Sequence, residues 1–123
     1  MFTLPRLANA QDQTRSADLE TLAGAIRNAA ALAHATWRAQ GALSGTGITI
    51  QINGQNVVLD AGFPQPGEIA KAVQGDLAQN GFVELPPGSG SFAHEHAQHR
   101  AACRVTYTGG SPPSITVVDD DCS

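Results

Sequence analysis

Cys103-Arg-Val-Thr-Tyr-Thr-Gly-Gly-Ser-Pro-Pro-Ser-Ile-Thr-Val-Val-Asp-Asp-Asp-Cys122 holds both cysteines of the 123-residue chain. Arg104 to Thr108 and Ser114 to Val118 alternate in the manner of strands around a Gly-Gly-Ser-Pro-Pro turn, so the stretch reads as a terminal hairpin bracketed by its cysteines. The alternative, two unrelated buried thiols, fits less well because the flanks read as hairpin and loop rather than core. A Cys103–Cys122 disulfide is therefore expected. It would place the chain in an oxidising compartment and stabilise it by about 3 kcal/mol in the chain-entropy account.

Upstream, from Ser16 to Gln40, Leu19, Leu22, Ile26, Ala29, Ala33 and Trp37 recur at helical spacing, which predicts a long amphipathic helix. Its start can reach back to Pro5, tolerated in a first turn, and Gly41 signals its stop. Ala29-Ala30-Ala31 favours the helix by propensity and equally permits close packing. The period then changes to two. Ile48, Ile50 and Ile52 alternate with Thr49 and Gln51, and Asn53-Gly54 turns the chain into the β-branched run ending at Leu59, a hairpin. Asp60 to Gly67 is loop chemistry, and Glu68 to Gln74 reads as a short helix stopping near Gly75. Phe82, Val83 and Leu85 predict a short edge strand, and Gly88-Ser-Gly-Ser91 a flexible connector. The expected fold class is α+β, with a long N-terminal helix packed on one face of an antiparallel sheet and a disulfide-bounded terminal hairpin. The length predicts one domain, 1–123, divided into helix (1–40), middle region (41–102) and bracketed tail (103–122).

The charge balance narrows the function. The net charge is -4, and of the seven basic residues Arg6, Arg15, Arg27 and Arg38 are spread along the helix among Asp12, Asp18 and Glu20. That interleaving describes a solvated or packing face rather than a phosphate-binding patch, so strong nucleic-acid binding is not expected. No apolar run approaches the ~20 residues that span a bilayer and no leader pattern stands out, so the expectation is a soluble chain. No nucleophile elbow, phosphate loop or dinucleotide fingerprint is present, and the expectation is a protein without catalysis or a cofactor.

The densest reactive cluster is Phe92-Ala-His94-Glu-His96-Ala-Gln-His99. On a strand His94 and His96 share a face, and on a helix His96 and His99 do. No single regular conformation turns all three toward one ion, so a polar, partly exposed segment is expected, with a divalent-metal site at His94, His96 and His99 as the alternative. Asp119-Asp120-Asp121 reads as a solvated acidic end, with calcium ligation as its alternative. Ser44, Ser91 and Ser123 fall in predicted loops and are candidates for modification.

Taken in order, the segments resemble the globular part of a type IVa pilin, most closely the mannose-sensitive haemagglutinin type, from Pro5 to Cys122. Pro5-Arg-Leu-Ala-Asn-Ala and Asp18-Leu-Glu-Thr-Leu-Ala-Gly-Ala-Ile-Arg-Asn-Ala-Ala-Ala-Leu-Ala-His34 resemble the exposed half of that family's spine helix. Gly54-Gln-Asn-Val-Val with Gly62-Phe-Pro64 resembles its hairpin and Gly-Tyr-Pro loop, and the bracketed tail resembles its D-region. One departure is large. Family members open with Phe-Thr-Leu-Ile-Glu and about twenty apolar residues, whereas here Phe2-Thr-Leu4 runs directly into Pro5-Arg6. The expectation is a chain lacking the membrane half, or a natural soluble relative, that does not assemble as full-length members do, since the family uses that glutamate to register subunits.

The resemblance implies a structural subunit of an extracellular pilus, assembled from the inner membrane and periplasm. Its partners would be other pilin subunits and the pilus assembly machinery, with contact to the inner membrane only through the missing helix half. The exposed helix face, the loop from Gly41 to Gly47 and the bracketed tail would form the subunit contacts and the outer face. Attachment to surfaces or cells would be the function, with retraction-driven motility as a further expectation. Two other readings stand beside it. A pseudopilin of the type II secretion machine resembles the chain in helix and sheet, but Cys103 and Cys122 count against it. A small periplasmic metal-binding module would use His94, His96 and His99. DNA uptake through a minor pilin is weakened by the acidic balance.

Overall fold

The computed structural model describes residues 3–42, 46–52, 54–73, 81–110 and 112–122, with the side chains of residues 3–13 and of Thr46 outside that description. Helix α1, Thr3–Ala39, has 37 residues, about 55 Å at 1.5 Å per residue. It begins earlier than the apolar stripe alone predicts, with Pro5 in its first turn, where the missing N–H costs no helix bond. Leu19, Leu22, Ala23, Ile26, Ala29, Ala30 and Ala33 are buried along one face. The helix stops at the predicted glycine. Gly41 takes φ +104, its N–H donates to the Arg38 carbonyl and that of Ala42 to the Trp37 carbonyl, which satisfies two carbonyls of the last turn.

Strands β1 (Thr46–Ile52) and β2 (Gln55–Asp60) form the predicted hairpin. Ile52 pairs with Gln55 across a two-residue turn in which Gly54 has φ +81, while Asn53 lies outside the described residues. A register shift between Thr46 and Ile48 puts the extra residue at Gly47, φ +75, whose N–H donates to Asp60 Oδ1 at 3.2 Å. Ile50, Ile52, Val57 and Leu59 face the core. Strand β3, Phe63–Pro64, adds to β2.

The remaining strands do not continue this sheet, contrary to the single sheet expected. They are β4 (Phe82–Glu84), β5 (Ser91–His94), β6 (Arg104–Thr108) and β7 (Ser114–Val118), an antiparallel sheet of four in sequence order. The division falls after Gln65, whose N–H still donates to the Val58 carbonyl of β2 before the chain enters the turn at Pro66. Both sheets contribute buried side chains to one core with α1. The architecture is α+β, with an N-terminal helix and antiparallel sheets.

Three local expectations are corrected. The short helix is a 3-10 turn, Pro66–Glu68, leading into α2, Ile69–Ala72, rather than a helix from Glu68 to Gln74. It ends because Val73, buried at 6 % exposure, turns to ψ 131 and leaves the helical region; residues from Gln74 to Asn80 lie outside the described residues. The second half of the glycine-serine connector, Gly90-Ser91, is packed, while Gly88 is exposed. Gly90 is buried at φ +79, and a Cβ there would lie 2.8 Å from the Tyr107 carbonyl oxygen. Its N–H donates to Glu84 Oε2 at 2.9 Å, and its carbonyl accepts from the Tyr107 N–H at 2.8 Å. Ser91 is accordingly buried in β5 with its hydroxyl against that of Thr106, so it offers no modification site; Ser44 and Ser123 lie outside the described residues. The edge strand appears as expected but ends at Glu84, before Leu85.

Candidate functional site

Two junctions hold α1 to the rest of the molecule, one at each end of its packed face. The first gathers the bracketed tail. Cys103 and Cys122 form the expected disulfide, with Cα atoms 4.9 Å apart and both residues buried. This bond draws the acidic end back across the start of the packed helix. Arg15 Nη1 donates to the Cys122 carbonyl at 3.0 Å, and the Ser16 hydroxyl donates to Asp119 Oδ2 at 2.6 Å. Asp121 pairs with His99 at 2.9 Å, and its N–H donates to the Ala102 carbonyl. The acidic end is thus partly engaged by protein groups: of its three carboxylates, Asp119 and Asp121 have partners here. Arg15 is spent on this joint.

The three histidines of the cluster separate. His94 is buried at 6 % exposure in β5, with Nε2 3.3 Å from Asp18 Oδ2 on α1 and its ring edge-on to Phe82. Its Nδ1 lies 3.4 Å from the His96 backbone nitrogen, which donates to it, so the network assigns the ring proton to Nε2, facing Asp18. The chain turns immediately after His94. His96 is exposed and meets Glu95, and His99 is exposed and meets Asp121. Among the described residues no three histidine, cysteine or acidic side chains come together as a metal set. The metal alternative therefore has no support in this geometry. The cluster is partly exposed, as expected: Phe92, Ala93 and His94 are buried in β5, whereas His96, Gln98 and His99 are exposed.

The second junction is apolar and aromatic. Gly62, φ +87, brings the turn after β2 so close to α1 that a Cβ there would lie 2.6 Å from Trp37 Cε3. The Phe63 ring stacks on His34 with centroids 4.2 Å apart and planes 2° from parallel, and His34 stacks on Trp37 at 5.2 Å. His34 Nδ1 lies 3.0 Å from the Gly62 carbonyl, which makes it the donor of that bond. Beneath, the Tyr107 hydroxyl donates to the Pro64 carbonyl at 2.7 Å. Burial pushes the Tyr107 phenol up to about 12 from 10.0, because its ionised form loses solvation there. The sequence shows Trp37 as a core residue. The pairing of His34 with Trp37 is visible as an i, i+3 spacing, but only the fold supplies Phe63 as its third layer.

Between the junctions the outer side of α1 is open to solvent. Leu32, 47 % exposed, is the one exposed large hydrophobic among the described residues. It borders a hollow of about 320 Å³ lined with Ala25, Asn28, Ala29 and Ala72. Of the loop from Gly41 to Gly47, residues 43–45 lie outside the described residues. No described helix is long and apolar enough to cross a membrane. Compared with known proteins, the chain matches no family model, no curated protein and no solved structure.

Proposed function

We propose that this protein is the globular part of a type IV pilin, a structural subunit of a bacterial surface filament. The observation that carries the reading is the way α1 is held. A long helix is gripped at one end by a disulfide-closed tail and at the other by a Gly-Phe-Pro turn after a hairpin, and these parts follow one another in the order the resemblance requires. Residues 3–13 add about 16 Å of helix ahead of Arg15. In this reading that stretch continues a spine whose apolar half packs with its neighbours in the filament core.

The function is then carried by surfaces rather than a pocket. The exposed side of α1 with Leu32, the loop after Gly41 and the bracketed tail serve as subunit contacts and outer face, and the filament attaches to surfaces or cells. The chain acts without catalysis or cofactor, its partners are further pilin subunits and the assembly machinery, and its place is the outside of the cell. The disulfide supports this reading over a type II secretion pseudopilin, because the major members of that group generally lack a C-terminal disulfide.

Immunogold electron microscopy of cells that produce the protein, with antibodies raised against this chain, tests the proposal. Gold along thin surface filaments is the expected result. Gold confined within the envelope or the cytoplasm would overturn it.

A further inference from the structure

The tail junction contains a buried titratable ring whose two nitrogens do different work. His94 Nε2 faces the Asp18 carboxylate on α1 at 3.3 Å, and Nδ1 faces the N–H of His96 at 3.4 Å. An imidazole satisfies both only when neutral, with its proton on Nε2. Protonation places a second N–H on Nδ1, donor against donor, in a site where the ring is nearly closed to water. The contact to Asp18 persists and gains charge; the contact to the turn is lost. We propose that His94 is an acid-sensitive hinge that loosens residue 96 within the Glu95–Ala97 turn while keeping β5 joined to α1.

The charged and titratable groups around it assign the effect to that ring. From α1 the group facing His94 is Asp18, about half exposed; from the turn it is His96, with ring centroids 6.0 Å apart. Glu95 faces His96 rather than His94, at 3.2 Å. Phe82 meets the ring edge and carries no charge. The turn is otherwise held by three bonds that do not titrate in this range. The Glu95 N–H donates to the Gly81 carbonyl, the Ala97 N–H to the His94 carbonyl, and Arg100 Nη2 to the Glu95 carbonyl. Loss of the Nδ1 bond therefore loosens residue 96 locally and reshapes the exposed surface carrying Glu95 and His96, without unfolding the sheet.

The experiment uses the full chain with His96→Ala, which removes the exposed ring's own titration and keeps the backbone N–H. Nitrogen-resolved spectra of the His94 ring and the hydrogen-exchange protection factor at residue 96 are followed between about pH 8 and 5, the range in which imidazoles titrate. Expected are an unprotonated Nδ1 at pH 8 and a roughly five- to tenfold fall in protection as the ring is protonated, the fold-change of losing one hydrogen bond. His94→Asn, whose amide oxygen can take the place of Nδ1, should keep residue 96 protected at every pH. His94→Gln, which reaches Asp18 instead, should leave it unprotected throughout. A proton on Nδ1 at pH 8, or a protection factor that does not change on ring protonation, would overturn the proposal. So would an equal fall in His94→Asn, and the ring spectra of the His96→Ala chain decide the matter even where a His94 variant fails to fold.

Discussion

The two ends of the packed helix are fastened by different physics. At the C-terminal end Trp37, His34 and Phe63 stack against a turn that only glycine can bring so close, over a buried tyrosine bond. At the N-terminal end Arg15, Ser16 and Asp18 reach polar groups of the tail and of β5, most of them partly open to solvent. Aromatic stacking and tight packing lose several kcal/mol when disrupted, whereas exposed polar pairs are each worth about 1 kcal/mol or less. The disulfide closes the tail on itself, buried Leu19, Leu22 and Ala23 pack this end of α1 into the core, and the polar contacts set direction more than strength. One junction adds aromatic stacking to the shared core; the other adds polar contacts to a tail whose course is set by the Cys103–Cys122 bond.

That contrast can be broken most severely at Gly62. Replacing it with alanine forces a side chain into positive φ and into the Trp37 ring, and should lower stability by about 3–4 kcal/mol in denaturant unfolding. A loss below about 1 kcal/mol would mean the turn is not pinned. Removing the staple comes next. The paired change Cys103→Ser with Cys122→Ser should cost about 3 kcal/mol and should raise amide exchange in residues 119–122 more than in Phe63, since the aromatic junction does not depend on it.

Alkali should act on the aromatic end alone. Tyr107 ionises at about 12 in the folded chain against 10.0 when solvated, so between those values the unfolded state gives up a proton that the folded state keeps. Stability is unaffected below pH 10 and falls by about 2 kcal/mol by pH 12. Tyr107→Phe should remove that slope, which chemical denaturation at a series of pH values will show. The smallest effect belongs to Arg15→Ala, under about 1 kcal/mol. It should change little in molar salt, because the acceptor is the neutral, part-buried carbonyl of Cys122. A loss of several kcal/mol would contradict the weak assignment of this joint.

The parts of the fold legible from sequence were those governed by local rules. The stripe from Leu19 to Trp37 fixes a helix, Gly41 its stop, Asn53-Gly54 a hairpin, and the bracketed tail a stapled strand pair, since periodicity and turn chemistry act within a few residues. Strand β5 escaped because Ser91, Phe92, Ala93 and His94 are all buried and show no alternation. The packing of Gly90 escaped because flexibility in isolation and close approach in the fold call for the same residue. The junctions were the least legible: Asp18 and His94, or Arg15 and Cys122, are far apart in the chain, and no spacing rule joins them. The histidine cluster was conspicuous as composition, yet its members take separate partners because the chain turns after His94.

The most direct test of the filament reading is intact mass spectrometry of the chain in filaments sheared from producing cells, alkylated before and after reduction. The account predicts that the protein is recovered in the sheared fraction and that no thiol is alkylated until reductant is added, when both Cys103 and Cys122 react. Recovery only in the cell-associated fraction, or alkylation of both cysteines without reductant, would contradict it.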